Sequence, residues 1–141
     1  MPYREKSAWL ALAAILLTFG PYFAIVASGR IPMEGLPNFQ MMGLYASVCA
    51  VQVAILGIGN LWMRFRAPED ARMPPDERDR ALMHRGRTIA YYVLMFGIVW
   101  VGGFMPFYSS GWYIVNTMVF MVSLAEVVYY GSLVFSYRRQ A

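Results

Sequence analysis

Long apolar stretches separated by short polar ones dominate this chain and predict four membrane-spanning helices. Three stretches lack Asp, Glu, Lys and Arg altogether: Ser7 to Gly29, Gly35 to Met63, and Thr88 to Ala125. The third is too long for one span, and Pro106 followed by Ser109-Ser110-Gly111 predicts a turn inside it. The four predicted spans lie near 8–28, 40–63, 87–107 and 112–137. Each has about the 20 residues that are needed to cross ~30 Å of hydrocarbon.

A polar loop at about 64–87 divides the spans into two helical hairpins. Pro74-Pro75 blocks a helix before Asp76, and Asp76 is a favourable N-cap residue. No proline follows until Pro106, so we predict one continuous third helix over about 76–107. At 1.5 Å per residue this helix is roughly 48 Å long, so about a third of it should project into the cytoplasm. The predicted fold is therefore an all-α integral membrane four-helix bundle in a single domain over 1–141, with an extended third helix.

Composition supports a membrane protein, because 59% of the residues are hydrophobic and only 14% are charged. Soluble domains carry about 25% charged residues. A cleaved signal peptide is the alternative for the first span, since Arg4 and Lys6 precede it and Ala27-Ser28 offers small residues. A signal core has only about 7–15 apolar residues, and this run is longer. We therefore expect a retained helix.

The basic residues predict the orientation of the chain. Eleven of the twelve flank the spans at one side: Arg4, Lys6, Arg64, Arg66, Arg72, Arg78, Arg80, Arg85, Arg87, Arg138 and Arg139. Only Arg30 lies in the opposite loop. The positive-inside rule then places both termini and the central loop in the cytoplasm. The net charge of +4 calls for no nucleic-acid partner, because these residues orient the spans and meet anionic lipid.

Glu126 is the only charged side chain deep inside a predicted span. It belongs to a polar stripe on one face of the fourth helix, with residues spaced by seven, three, four and seven: Asn116, Ser123, Glu126, Tyr130 and Tyr137. Lipid cannot satisfy these groups, so we expect the stripe to point into the bundle or an oligomer contact. Three roles are open for the carboxyl: a hydrogen bond between helices, a proton or cation relay, and a metal or catalytic role.

The second helix has a small-residue face and a more polar face. The small residues recur at steps of four and three: Gly43, Ser47, Ala50, Ala54 and Gly57. This spacing predicts close packing of helix backbones, within the bundle or across a dimer. Gln52 lies on the other face near the middle of the span. Because the second and fourth helices run in the same direction, Gln52 and Glu126 could meet at a similar depth.

The stretch Asp76, Glu77, Arg78, Asp79 and Arg80 opens the projecting helix. Mixed charges of this kind are typical of a solvated helix face, supported here by an Asp76–Arg80 pair four residues apart. A docking surface for a cytoplasmic protein is the sharper alternative.

The sequence gives no positive support for an enzyme. It contains no phosphate-binding loop, no HExxH and no nucleophile elbow, and it shows no metal-ligand spacing. His84 is the only histidine, so bis-histidine haem ligation within the chain is excluded. Cys49 is the only cysteine, so no intrachain disulfide can form, and a small packing residue is the simpler interpretation. We expect no cofactor.

Short motifs resemble those of small uncharacterised bacterial inner-membrane proteins with four helices and a DERD stretch before the third. The matching segments are Arg-Glu-Lys-Ser-Ala-Trp at 4–9, Asp-Glu-Arg-Asp-Arg at 76–80, Ile-Ala-Tyr-Tyr at 89–92, and Ala-Glu-Val-Val-Tyr-Tyr at 125–130. The resemblance implies a bacterial inner-membrane location. It transfers no catalytic residue.

Two functional classes lead. The first is a non-enzymatic accessory or regulatory interaction protein, in a homo-oligomer or a larger membrane complex, with a cytoplasmic partner as a further expectation. The second is a small oligomeric secondary transporter that uses Glu126 for proton coupling. Apart from Arg87 at the cytoplasmic boundary of the third, the predicted spans contain no Lys, Arg or His as a counter-ion and no second acidic site, which favours the first class.

Overall fold

A computed structural model describes residues 2–35 and 37–140, and within these ranges the chain is helical and contains no strand. The helices are α1 (Tyr3–Ala27), α2 (Phe39–Arg66), α3 (Pro68–Arg72), α4 (Glu77–Val99) and α5 (Trp112–Arg139). Four of them, with α4 extended to Phe107, are long and apolar enough to cross a membrane. The all-α fold with four long apolar helices in a bundle is confirmed, and these helices suggest a multi-pass membrane protein.

The start of α4 follows from its local sequence. The Asp76 side chain accepts a hydrogen bond from the Asp79 backbone N–H at 2.6 Å. Glu77 and Asp79 add negative charge in the first turn, where it favours the helix dipole. The loop before α4 also contains α3, which the sequence prediction lacked. Pro68 in the first turn favours that short helix, as do Glu69 and Asp70, which follow it.

The end of the third span departs from a regular α-helix. Trp100–Phe104 forms a π-helical turn, closed by the Met105 backbone N–H on the Trp100 carbonyl, and Met105–Phe107 forms a 3-10 turn. Pro106 explains the change, since it cannot donate to the Gly102 carbonyl and its ring would collide with it in an α-helix. The sequence predicted a continuous helix to about residue 107 and did not indicate the π-helical turn.

Helix α1 shares the centre of the bundle with α5. It packs against both α2 and α5, while α4 packs against α5. Helix α1 buries side chains along its length, among them the small Ala8, Ala11 and Ala14 and the large Tyr22. Helix α2 buries only Met41 among its described residues. The two hairpins are therefore joined through α1 and α5, and α2 and α4 flank an open side.

Two glycines set the close contact between α4 and α5. A Cβ added at Gly97 would lie 2.7 Å from the Met121 Cβ, and one at Gly86 would lie 2.8 Å from the Ser132 Oγ. Eleven residues separate the two glycines, which is three helical turns, so they share one face of α4. Their missing side chains let α5 approach.

Candidate functional site: an open groove carrying Glu126

The polar stripe of α5 is turned mostly towards α1. Asn116, Ser123 and Tyr137 are buried, and Tyr130 is partly buried. The Tyr22 hydroxyl of α1 donates a hydrogen bond to the Asn116 Oδ1. The stripe thus supplies one buried hydrogen bond between α1 and α5.

Glu126 differs from the rest of this stripe. It lies three residues after Ser123, at the edge of the buried face, and it is exposed. Among the described residues its carboxyl has neither a hydrogen bond nor a salt bridge. Glu126 is not buried in the bundle of the single chain, and the predicted alternative, an oligomer contact, stays a prediction. The physical reason is that α4 covers the far face of α5, and no helix closes over the edge that carries Glu126.

That edge forms one wall of a groove between α1, α2 and α5, with a volume of about 410 Å³. Most of its lining is apolar or aromatic: Ala11, Ile15, Phe19, Tyr45, Leu56, Met118, Val119 and Val122. Four predicted site residues complete it, namely Gln52, Ser123, Glu126 and Tyr130. Asn116 lies outside the groove. The structure therefore brings Gln52 and Glu126 to one cavity, as their similar depth suggested.

Gln52 accepts a hydrogen bond from a side chain of α1. The Thr18 hydroxyl donates to the Gln52 Oε1 at 2.6 Å, which links the two helices near their middle. No hydrogen bond between described residues connects Gln52 with Glu126. In the groove, the Gln52 Oε1 therefore accepts a hydrogen bond, whereas the Glu126 carboxyl has no partner among the described residues.

The small-residue stripe of α2 faces away from the bundle. All five of its members are exposed: Gly43, Ser47, Ala50, Ala54 and Gly57. A Cβ added at Gly43 or Gly57 would meet no atom within 4 Å. Helix α2 instead contacts α1 through its opposite face, where Gly59 touches Leu10 and the Ser7 hydroxyl donates to the Asn60 Oδ1 at 3.0 Å. Close packing of the stripe within the chain was a wrong prediction, and packing across a dimer stays a prediction.

The charged stretch at 76–80 is partly folded back onto the chain. The Arg4 Nε lies 3.2 Å from the Asp79 Oδ2, and the Tyr137 hydroxyl donates to the Asp79 Oδ1 at 2.8 Å. We call Arg4, Asp79 and Tyr137 the terminal clasp. The Arg78 Nε donates to the Gln140 Oε1 at 2.6 Å. Asp79, Arg78 and Asp76 thus have partners in the chain, which leaves Glu77 and Arg80 as the outward part of the predicted docking surface.

Sequence reasoning missed the terminal clasp. Asp79 was assigned to a surface helix, and Arg4 to a basic flank of the first span. Arg4 and Asp79 are 75 positions apart in the chain, so no local pattern relates them. The one signal in the sequence is that both are predicted at the same end of the bundle. The clasp joins the beginning, the middle and the end of the sequence.

The described residues contain no group of three or more His, Cys, Asp or Glu side chains that could hold a metal ion. Cys49 is partly buried and free. The site is therefore one carboxyl among apolar, aromatic and hydroxyl groups. Such a set can donate and accept hydrogen bonds and attract a cation.

The chain matches no protein-family model, no curated protein and no solved structure. The resemblance to small bacterial four-helix membrane proteins stays an interpretation. Function has to be argued from the groove itself.

Proposed function

We propose that this chain is a non-enzymatic membrane interaction protein, an accessory or regulatory subunit that receives a partner's transmembrane helix in the groove between α1, α2 and α5. The observation that carries the proposal is the exposed carboxyl of Glu126, which has no partner among the described residues and lies on a mostly apolar wall. The proposal places the chain in a bacterial inner membrane. Its arginine-rich end, which holds both termini, faces the cytoplasm.

An acidic side chain at this depth is costly when it faces hydrocarbon. Insertion scales assign about 2.5–3.5 kcal/mol to a charged residue at the centre of a membrane helix. Lipid tails offer no hydrogen-bond donor, whereas a neighbouring helix with a polar side chain does. A partner helix in the groove would remove this penalty and cover the apolar walls.

The chemistry of Glu126 favours a different protein over a second copy of this chain. The stretches Ser7 to Gly29, Gly35 to Met63, and Thr88 to Ala125 contain no Lys or Arg, and the only histidine is His84. A second copy could therefore offer no basic group at this depth, but only amides, hydroxyls, the Cys49 thiol and its own Glu126 carboxyl. A partner helix with a basic residue near its middle complements the carboxyl better, because an ion pair satisfies both groups.

A site-specific photo-crosslinker can test this proposal in native membranes. Val122 lines the groove, whereas Leu124 is exposed on α5 outside it, so the two positions form a matched pair. We expect a discrete protein adduct from position 122 and none from position 124. Glu126→Leu should abolish the adduct at 122. An adduct of equal strength from both positions, or one that survives Glu126→Leu, would contradict a partner helix that recognises this carboxyl. An adduct with the size of a dimer of this chain would favour self-association instead.

A proton-coupled transporter of lipophilic cations is the second candidate. It is favoured by the size of the groove and by the aromatic rings of Phe19, Tyr45 and Tyr130 around the carboxyl. Aromatic faces attract cations by about 0.5–2 kcal/mol. In proteoliposomes, this function requires uptake of a fluorescent lipophilic cation driven by a pH gradient, and Glu126→Gln should abolish it without unfolding the protein. Equal uptake by empty liposomes would exclude it.

A further inference from the structure

A second hollow lies between α4 and α5 at the arginine-rich end of the bundle and shares no lining residue with the groove of Glu126. Its volume is about 420 Å³. Its floor is the close contact at Gly86, where a Cβ would lie 2.8 Å from the Ser132 Oγ. The hollow is therefore fixed by the crossing of two helices rather than by a loop.

Two guanidinium groups line this hollow, Arg85 from α4 and Arg139 from α5. Among residues 2–35 and 37–140, no acidic side chain lines it. The one salt bridge among the described residues is Arg4–Asp79, so neither arginine has an anionic partner there. Ser136 adds a hydroxyl. Arginine pairs, together with hydroxyl donors, match the geometry of a phosphate group.

The same hollow has an apolar part. Ile89 and Phe135 line it, and Phe135 is 65% exposed. Ile89 belongs to the uncharged stretch that begins at Thr88, whereas Arg85 precedes that stretch and Arg139 follows the last apolar turn of α5. A cationic end therefore lies at the edge of the apolar span, with an apolar surface beside it. This order suits an amphiphile with an anionic head.

We propose that Arg85, Arg139 and Ser136 bind the phosphate of an anionic phospholipid, whose acyl chain lies along Ile89 and Phe135. Basic hollows between helices on the cytoplasmic side are the places where membrane proteins hold anionic headgroups. The proposal does not depend on a partner helix in the groove. It gives the arginine-rich end a lipid-specific role in addition to its role in orientation.

Native mass spectrometry of the detergent-purified full chain tests this site. The probes are phosphatidylglycerol, phosphatidylcholine and inorganic phosphate. We expect adducts with phosphatidylglycerol, and a loss of affinity on the order of tenfold in the double variant Arg85→Gln/Arg139→Gln. Arg64→Gln/Arg66→Gln is the matched control, because it removes the same charge from the same end of the bundle but outside the hollow. It should keep the affinity of the parent.

Three results would overturn the proposal. Equal losses in both double variants would indicate general attraction between charges instead of a site. Equal binding of phosphatidylcholine would remove the role of the anionic head. Competition by inorganic phosphate at the same concentration as the lipid would indicate a phosphate site that ignores the acyl chain. If Arg85→Gln/Arg139→Gln does not fold, Ser136→Ala provides the test, since it keeps both charges and should still weaken lipid binding.

Discussion

Helices α4 and α2 both carry small residues at helical spacing, but they use them in opposite ways. On α4, Gly86 and Gly97 lie against side chains of α5 so closely that neither position has room for a methyl group. On α2, Gly43 and Gly57 face open space. The α4 glycines are buried, whereas the whole small-residue stripe of α2 is exposed.

The difference shows that the spacing of small residues indicates a surface suited to close helix packing. It does not indicate whether a helix of the same chain packs there. Within the part of the chain that the structure describes, α5 packs against the small residues of α4, and no helix packs against those of α2. The open side of the bundle holds two features that a further helix could contact, the α2 stripe and the Glu126 carboxyl. The closed side holds the buried polar and glycine contacts.

The largest effect is expected on the closed side at Gly97. Gly97→Leu places a side chain where Met121 already lies, and overpacking of this kind costs about 3 kcal/mol. Gly57→Leu is the control, because a Cβ there meets no atom within 4 Å. Thermal unfolding of the two variants in detergent measures the difference. Equal melting temperatures would mean that the α4–α5 contact is looser than its geometry indicates.

Asn116→Leu should have the next largest effect. Tyr22 is only 1% exposed, and this substitution removes the acceptor of its hydroxyl. The free energy of unfolding should fall by about 2 kcal/mol. Glu126→Leu is the counterpart on the open side and should change the free energy of unfolding in detergent by less than about 0.5 kcal/mol. Denaturant titration of both variants compares a buried polar group with an exposed one. A larger loss for Glu126→Leu would show that its carboxyl has a partner inside the chain.

The smallest effect is expected for the α2 stripe. Ala50→Leu and Ala54→Leu should leave the unfolding of the single chain unchanged within about 0.5 kcal/mol, because both positions are exposed. Leu56→Val, on the inner face, should cost about 1 kcal/mol. The sequence alone predicts the reverse order. If a second chain uses the stripe, the two leucine variants should instead lower energy transfer between labelled copies in liposomes.

The features that the sequence predicted correctly are local. Four apolar helices follow from runs of uncharged residues, and the Asp76 cap follows from a proline pair before an acidic residue. Each depends on neighbours within a few positions. Pro106 indicates an irregular helix end, but only the structure shows that the chain adopts a π-helical turn there.

The features that the sequence did not predict depend on which helices meet. The spans are apolar around most of their circumference, so the pattern does not select an inner face. Glu126 and Ser123 are three residues apart on one helix surface, yet only Ser123 is buried. Glu126 is exposed because α2 does not pack against that edge of α5. The spacing of residues within α5 does not reveal where α2 lies.

The central position of α1 has a consequence for how the protein forms during synthesis. Helix α1 is made before α5, and Tyr22 lies 94 positions before its partner Asn116. In the nascent α1–α2 hairpin, the side of α1 that contacts α5 therefore stays uncovered until α5 has been synthesised. A ribosome stalled before α5 should hold an unfinished core that is sensitive to protease, and synthesis of α5 should protect it.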